Sequence, residues 1–490
     1  LIRLQDVSFA FPPAGSGDVL RRVNLVVRDG EWVAVAGGNG SGKTTLCRIM
    51  AGVSRPLTGT VTVEGAQRVP ADGAPRGAPA TGIAFQNPDS QFVTSSVERE
   101  LLFGMENLGL EALEMRARLA AAAGAFALEP YLTRNPHTLS GGEKQRLLLA
   151  CLWAMGPRHL ILDEPFSFLD SGGRAAFLDA LRGSFRREGS AIVWSTVDAD
   201  EAALADRVIY LDGGEIRFDG VPGDLARAIP REKLQSSLVH RSAGGVPLDE
   251  APRREVRGRP ETPPGEGRAP AAAVVEVRDA RFSPGGGDFL LEIPSLSIAP
   301  GERIGVCGPS GSGKTTFLLA CAGLLAPRKG AVMVLGARVA ARRDFPAGRV
   351  AFLFQSPEDG FFAPTVREEV AFARRSFAGT EEPGLAASRA LSEAGLAPES
   401  FLERNPFRLS QGEKRLVALA SVLVMEASLF LLDEPTIFLD GGARRRLLSA
   451  LERLSARGAT IVIASHDAGF LRECTDRIVT LENGRLSRAV

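Results

Sequence analysis

The chain has 490 residues, with Lys+Arg and Asp+Glu both at 58 and a net charge of zero. That length exceeds what one hydrophobic core serves and points to about two to four domains, while the charge balance offers no global attraction to nucleic acid or anionic lipid. Cys47, Cys151, Cys307, Cys321 and Cys474 show no metal spacing, which fits free thiols in a reducing compartment. No run of about 18 to 20 apolar residues is present; the best, Leu416 to Leu432, is broken by Glu426. Ile2 to Asp6 carry none of the long apolar stretch expected of a signal peptide.

In chain order, the first clear element is the short apolar run Trp32 to Ala36, read as a buried strand. The glycine-rich loop GGNGSGKTT (37–45) follows, and helix formers run over Thr44 to Met50. From Gln86, in FQNPD, to about Leu160 the sequence turns helical. MENLGLEALEMRARLAAAAGAFAL is its clearest stretch, and we expect an inserted helical subdomain here. LSGGEKQR begins at Leu139, and a further strand, His159 to Leu162, runs into Asp163 and Glu164. The strand Ala191 to Ser195 precedes the polar cluster of WSTVDADEA.

From Arg241 to Ala272 runs a Pro, Gly, Arg and Glu mixture, RGRPETPPGEGRAPAAA. It buries too little apolar surface to offset its ordering entropy and is expected to be a flexible tether. A coil of about 30 residues spans roughly 30 Å, enough for its flanking domains to face one another. The arginines from Arg253 to Arg268 are interleaved with glutamate and proline, which favours a solvated tether over a nucleic-acid arm.

Past the tether the series repeats: strand Arg303 to Cys307, GPSGSGKTT (308–316), helix Thr315 to Ala322, Gln355 in FQSPED, LSQGEKRL from Leu409, strand Leu429 to Leu432 before Asp433 and Glu434, and strand Thr460 to Ser465 before IASHDAGF. Four motifs recur in one order at an offset of about 270 residues, which marks an internal duplication. The expected organisation is a domain over 1–240, a linker over 241–272 and a second domain over 273–490. Strands alternating with helices define an α/β class with a mostly parallel sheet and ligands at the strand C-termini.

The loops carry the chemistry. GxxxxGK[ST] needs glycines so that backbone N–H groups can approach phosphate oxygens at a helix N-terminus. Candidate ATP-binding residues are Gly37, Asn39, Gly40, Ser41, Gly42, Lys43, Thr44 and Thr45, then Gly308, Ser310, Gly311, Ser312, Gly313, Lys314, Thr315 and Thr316. Lys43 and Lys314 are placed to reach the β/γ-phosphates, and Thr44 and Thr315 to bind Mg²⁺. Asp163 and Asp433 are candidates to orient Mg²⁺, and Glu164 and Glu434 to polarise an attacking water.

LSGGE, an Asp-Glu-Pro after an apolar strand and a downstream Leu-Asp together resemble the ATP-binding-cassette ATPases, over nearly the whole chain outside the tether. The resemblance implies two P-loop cassettes, each with a mostly parallel core, an antiparallel β part and a helical insert, sandwiching two ATP molecules head to tail. It places Ser140, Gly141 and Gly142 at the nucleotide held by Lys314, and Ser410, Gln411 and Gly412 at the one held by Lys43. Gly142 permits close backbone approach, and a helix from Glu143 would present its N-terminus to the γ-phosphate. Asp170 and Asp440 resemble the loop that communicates across that sandwich. Gln86 and Gln355 resemble γ-phosphate sensors beside the metal, facing a transport partner. Phe11 resembles the adenine-stacking aromatic; the second copy has Pro284 near that place, leaving Phe282 or nothing to stack.

Two departures fall together. His466 resembles the switch histidine that orients water and γ-phosphate, whereas the matching residue of the first copy is Val197, and Gln411 replaces the glycine kept as Gly141. Both changes lie in the composite site built on Lys43, expected to be slow or mainly structural. The site with Lys314, Glu434, His466 and Ser140 is expected to be the main hydrolytic one.

QNPDSQFVTSSVERELLFGMENLGL and QSPEDGFFAPTVREEVAFA resemble the ATPase subunits of energy-coupling factor importers of vitamins and transition-metal ions. That implies a peripheral place at the cytoplasmic face of the membrane, on a scaffold subunit paired with a substrate-binding subunit. Phe92 and Phe361 are either core of the helical subdomain or partner contacts. A tandem ATPase acting on ribosomes or DNA is disfavoured by neutral charge and by the lack of a basic stripe or zinc cysteines. A tandem sugar-importer ATPase would share the mechanism, although such chains often carry one degenerate phosphate loop and both loops are intact here.

Overall fold

The structure is a computed structural model and describes residues 1–11, 18–64, 79–167, 169–185, 190–239, 272–283, 290–340, 348–375 and 382–489. Two compact units are present, Leu1–Arg241 and Ser242–Val490. Apart from Ala272, the expected tether lies outside the described residues, as does Pro284.

The first unit contains β1 (Ile2–Phe9), β2 (Leu20–Val27), β3 (Trp32–Ala36), β4 (Thr58–Val63), β5 (Thr81–Ala84), β6 (His159–Leu162), β7 (Ile192–Thr196), β8 (Arg207–Asp212) and β9 (Glu215–Gly220). One sheet has the order β5-β6-β7-β3-β8-β9, parallel except for the antiparallel β8–β9 pair; a second, antiparallel sheet has the order β2-β1-β4. The second unit contains β10 (Val275–Phe282), β11 (Leu291–Ile298), β12 (Arg303–Cys307), β13 (Lys329–Val334), β14 (Ala337–Arg338), β15 (Val350–Leu353), β16 (Leu429–Asp433), β17 (Thr460–Ser465), β18 (Arg477–Glu482) and β19 (Arg485–Ala489). Here the same parts join in one sheet of order β14-β13-β10-β11-β19-β18-β12-β17-β16-β15.

The phosphate-loop strands are buried along nearly their whole length, apart from the half-buried Arg303, because both of their faces are covered. On β3, Val33 and Val35 enter a core shared with the helix Lys43–Met50 and the antiparallel sheet, while Trp32, Ala34 and Ala36 enter the core under the helical insert. On β12, Ile304 and Val306 join one core and Cys307 the other. Each fully buried Val or Leu contributes about 1.5–3 kcal/mol, so the strand that launches each loop is among the best-anchored segments of its unit.

The long helical stretch of the first unit is interrupted. It forms Val97–Asn107 and Ala112–Ala125, because Gly109 adopts φ 68° between them, a left-handed conformation that ends a helix. The helix expected from Glu143 begins two residues earlier, at Gly141, under a capping box: Glu143 N donates to Ser140 Oγ at 3.4 Å and Ser140 N donates to Glu143 Oε2 at 2.7 Å. Among the described residues no helix is long and apolar enough to cross a membrane.

Candidate functional site: two phosphate loops and their catalytic carboxylates

Each phosphate loop leaves a buried strand and enters a helix, Lys43–Met50 or Lys314–Cys321. Its glycines are required for two different reasons. Gly40 and Gly42 adopt φ 74° and 104°, and Gly311 and Gly313 φ 78° and 106°, which turns successive amides towards one point without a Cβ penalty. Gly37 is instead fixed by its neighbour, since a Cβ there would lie 2.3 Å from the Leu211 carbonyl oxygen. Lys43 Nζ donates to the carbonyls of Gly37 and Gly38 at 3.0 Å each, and Lys314 Nζ to those of Gly308 at 2.8 Å and Pro309 at 3.0 Å. Both ammonium groups are thereby held over their own loops, beside the amides that would receive phosphate.

At the ends of β6 and β16, each one strand removed from its phosphate-loop strand, Thr44 Oγ1 donates to Asp163 Oδ1 at 3.2 Å and Thr315 Oγ1 to Asp433 Oδ2 at 2.7 Å. One hydroxyl and one carboxylate beside a phosphate loop suit Mg²⁺, a hard ion that keeps several waters and takes its remaining ligands from the nucleotide. Burial raises the Asp433 carboxyl to about 6, against the bond from Thr315, so its negative charge is poorly compensated by the chain alone and matches a cation.

The two candidate catalytic carboxylates occupy the same backbone position and different surroundings. Glu164 and Glu434 both have positive φ, 46° and 47°, a strain of about 1–2 kcal/mol for a non-glycine residue. In the first unit Gln86 Nε2 donates to Glu164 Oε2 at 2.8 Å, Ser167 Oγ donates at 3.3 Å, and Lys43 Nζ lies 3.8 Å from Oε1. Burial wins there and raises the Glu164 carboxyl above its ordinary value. In the second unit His466 Nδ1 lies 2.9 Å from Glu434 Oε2, and Ser465 Oγ and the His466 amide also donate to that carboxylate. Burial works against ionisation of Glu434 too, but the His466 charge and hydrogen bond, with Lys314 at 3.6 Å, hold it down at about 2. Val197, by contrast, is a buried apolar side chain with nothing to donate.

The remaining expected residues fall as follows. Ser140 and Ser410 cap their helices, each with Gly141 or Gln411 as the first helical residue and Gly142 or Gly412 as the second; a hydroxyl that accepts in this way retains its own hydrogen to donate. Asp170 Oδ1 accepts from Gly173 N at 2.7 Å and Asp440 Oδ1 from Ala443 N at 2.8 Å, so both aspartates brace the turn into the next helix. Phe11 is 49% exposed and packs edge-on against Phe9. Phe282 is completely buried on β10 and cannot stack on one. Phe92 and Phe361 are core residues, while the side chains next to them, Val93 and Phe362, are exposed, and Phe362 packs edge-on against the exposed Phe372. Burial thus assigns outward contact to residues one position along from those singled out in the sequence.

The sequence reading missed Arg415. It is buried on the helix Gln411–Leu423 and reaches the backbone of both Gln355 and Glu434. The signal was present: a third charged residue directly after Glu413 and Lys414, on a helix whose other face packs inward, has no room to be solvated on every side.

Strand order, duplicated phosphate loops and strand-end carboxylates define an ATPase built from two ATP-binding cassettes. The family model described as ABC transporter matches residues 20–167 and 291–437, and the chain belongs to that family as an ATP-binding chain carrying the domain twice. An ABC transporter ATP-binding protein of Bifidobacterium longum, provisionally so named, is 33% identical over 98% of this chain, which spans 64% of that relative's length. A Bacillus subtilis protein provisionally named HMP/thiamine import ATP-binding protein YkoD is 28% identical over 99% of this chain and 91% of its own. The solved structure of ribosome-bound archaeal Pelota and ABCE1 superposes with a TM-score of 0.65 at 25% identity, covering 96% of this chain and 76% of the other.

Proposed function

We propose that this chain is the energy-coupling subunit of an energy-coupling factor importer, hydrolysing Mg²⁺-ATP at the cytoplasmic face of the membrane. It drives uptake of a vitamin or a transition-metal ion through a membrane scaffold subunit and a substrate-binding subunit. The full-length likeness to a relative named for HMP/thiamine import supports this reading, as does the exposed apolar pair Phe362 and Phe372 beside the Gln355 segment.

The observation that carries the asymmetry is the 2.9 Å contact of His466 with Glu434, set against the apolar Val197. Glu434 stays ionised to accept a proton from the attacking water, and His466 orients it. Glu164 is held by Gln86 and has the apolar Val197 where Glu434 has His466, so its site turns over slowly. In the reconstituted complex at saturating ATP, Glu434→Gln is expected to abolish turnover and Glu164→Gln to keep most of it. Equal losses would mean that both sites fire together. The likeness to ribosome-bound ABCE1 favours a second reading, a tandem ATPase of the translation apparatus. Copurification with ribosomes would support it, and copurification with an integral membrane protein supports the importer.

A further inference from the structure

In the second unit one guanidinium joins two parts of the site. Arg415 Nη1 donates to the carbonyl of Phe354 at 2.5 Å and of Gln355 at 3.1 Å; Nη2 donates to the carbonyl of Asp433 at 2.8 Å and to that of Glu434. Its planar fork makes this possible, since two nitrogens can serve two backbone segments at once. Burial lowers its pKa to about 10, with Asp433 and Glu434 opposing that shift, so the group is a cation at neutral pH. Burying a cation is costly unless partners are in place; here four carbonyls serve the two terminal nitrogens, while Nε has no hydrogen-bond partner among the described residues.

The first unit shows that the fold does not require it. Gln145 stands at the matching place, two residues after Glu143 as Arg415 is after Glu413. It is equally buried, and its Nε2 has no hydrogen-bond partner among the described residues. There the glutamine segment and the catalytic carboxylate are joined by side chains instead, through Gln86 and Glu164 at 2.8 Å. That bond makes the Glu164 side chain itself part of the tie. In the second unit the tie runs through backbone carbonyls, and the Glu434 carboxylate faces His466 and Ser465.

We propose that Arg415 is a positioning residue of the second cassette: it clamps the Gln355 segment to the Glu434 strand end through the backbone, so that the two move together without drawing the Glu434 side chain into the tie. The inference rests on the reading of Glu434 as the base of the main hydrolytic site. Among the described residues the hydrogen bonds of Arg415 go to backbone carbonyls, so it acts through the residues it holds.

The test uses the purified full chain and measures kcat, ATP KM and thermal midpoint for Arg415→Gln, Arg415→Lys and Glu434→Gln. Arg415→Gln recreates the Gln145 arrangement. It is expected to keep KM within about twofold while kcat falls by about tenfold or more, the range expected for a displaced catalytic group. Arg415→Lys, which keeps the charge and can meet part of the carbonyl set, is expected to recover part of kcat. Wild-type kcat in Arg415→Gln, with turnover lost in Glu434→Gln, overturns the clamp alone. Loss of kcat that follows the thermal midpoint in both Arg415 variants, with no recovery by lysine, reduces Arg415 to a structural filler and also overturns it. Full turnover in Glu434→Gln would instead remove the reading beneath it.

Discussion

His466 Nδ1 lies 2.9 Å from Oε2 of Glu434, and the His466 amide donates to both oxygens of the same carboxylate. The side chain that follows β17 and the acid that follows β16 therefore form one unit, in which His466 offsets the burial that otherwise favours a neutral acid.

Replacing His466 by alanine removes that offset and the hydrogen bond together, leaving Glu434 closer to the condition of Glu164. Turnover is expected to fall by about 10² or more, the scale of a lost acid–base contribution, with ATP affinity little changed because Lys314 and the loop amides are untouched. Steady-state ATPase assays beside equilibrium nucleotide binding read this directly. Turnover equal to the parent would show that the contact is packing only.

Gly37→Ala tests whether the first loop glycine is set by sterics. The new Cβ would meet the Leu211 carbonyl oxygen at 2.3 Å and Ser41 Oγ at 2.7 Å, so β3 and β8 must separate. A loss of about 1–3 kcal/mol is expected from such overpacking, measured by chemical denaturation without nucleotide. Gly52→Ala provides the contrast. Its added Cβ meets nothing within 4 Å, and only its φ of 73° is strained, so it should lose less. Equal losses would mean that the Leu211 carbonyl gives way and that the close approach costs no more than a strained φ.

Glu201 supplies a pH dependence away from the metal-binding residues. Burial and the neighbouring Asp198 charge push its carboxyl up to about 8, against Arg174 at 3.1 Å and a hydrogen bond from Thr196. Because the folded state binds this proton more tightly than the unfolded chain, whose value is near 4.5, the contribution is full below that value. It declines as pH rises towards 8. Glu201→Gln, which keeps a neutral hydrogen-bonding side chain, should therefore flatten the fall of thermal midpoint between about pH 5 and 8. An unchanged slope would mean that Asp198 or another group carries it.

Much of this architecture was legible in the sequence because it is written in local pattern. The strands β3 and β12, the loops with Lys43 and Lys314, and the strand-end pairs Asp163–Glu164 and Asp433–Glu434 announce themselves by apolar runs and fixed spacing. The interruption at Gly109 and the start of the helix at Gly141 were less legible, since apolar content continues through the first and the capping box shifts the second. Phe92 and Phe361 show where reading ran out: adjacent aromatic and apolar residues look alike in sequence, and only packing decides which turns inward.

By itself the sequence determined the duplicated phosphate loops, the acid pairs and the difference between Val197 and His466, because phosphate binding and proton transfer demand particular residue types at short spacing. Tertiary structure alone decided how Glu164 and Glu434 differ. Their environments come from Gln86 and Ser167 in one unit and from His466, Ser465 and Arg415 in the other. Apart from Ser167, these groups stand far along the chain from the acids they serve, and burial makes small differences in their placement count, because a charge removed from water responds to each dipole and ion around it.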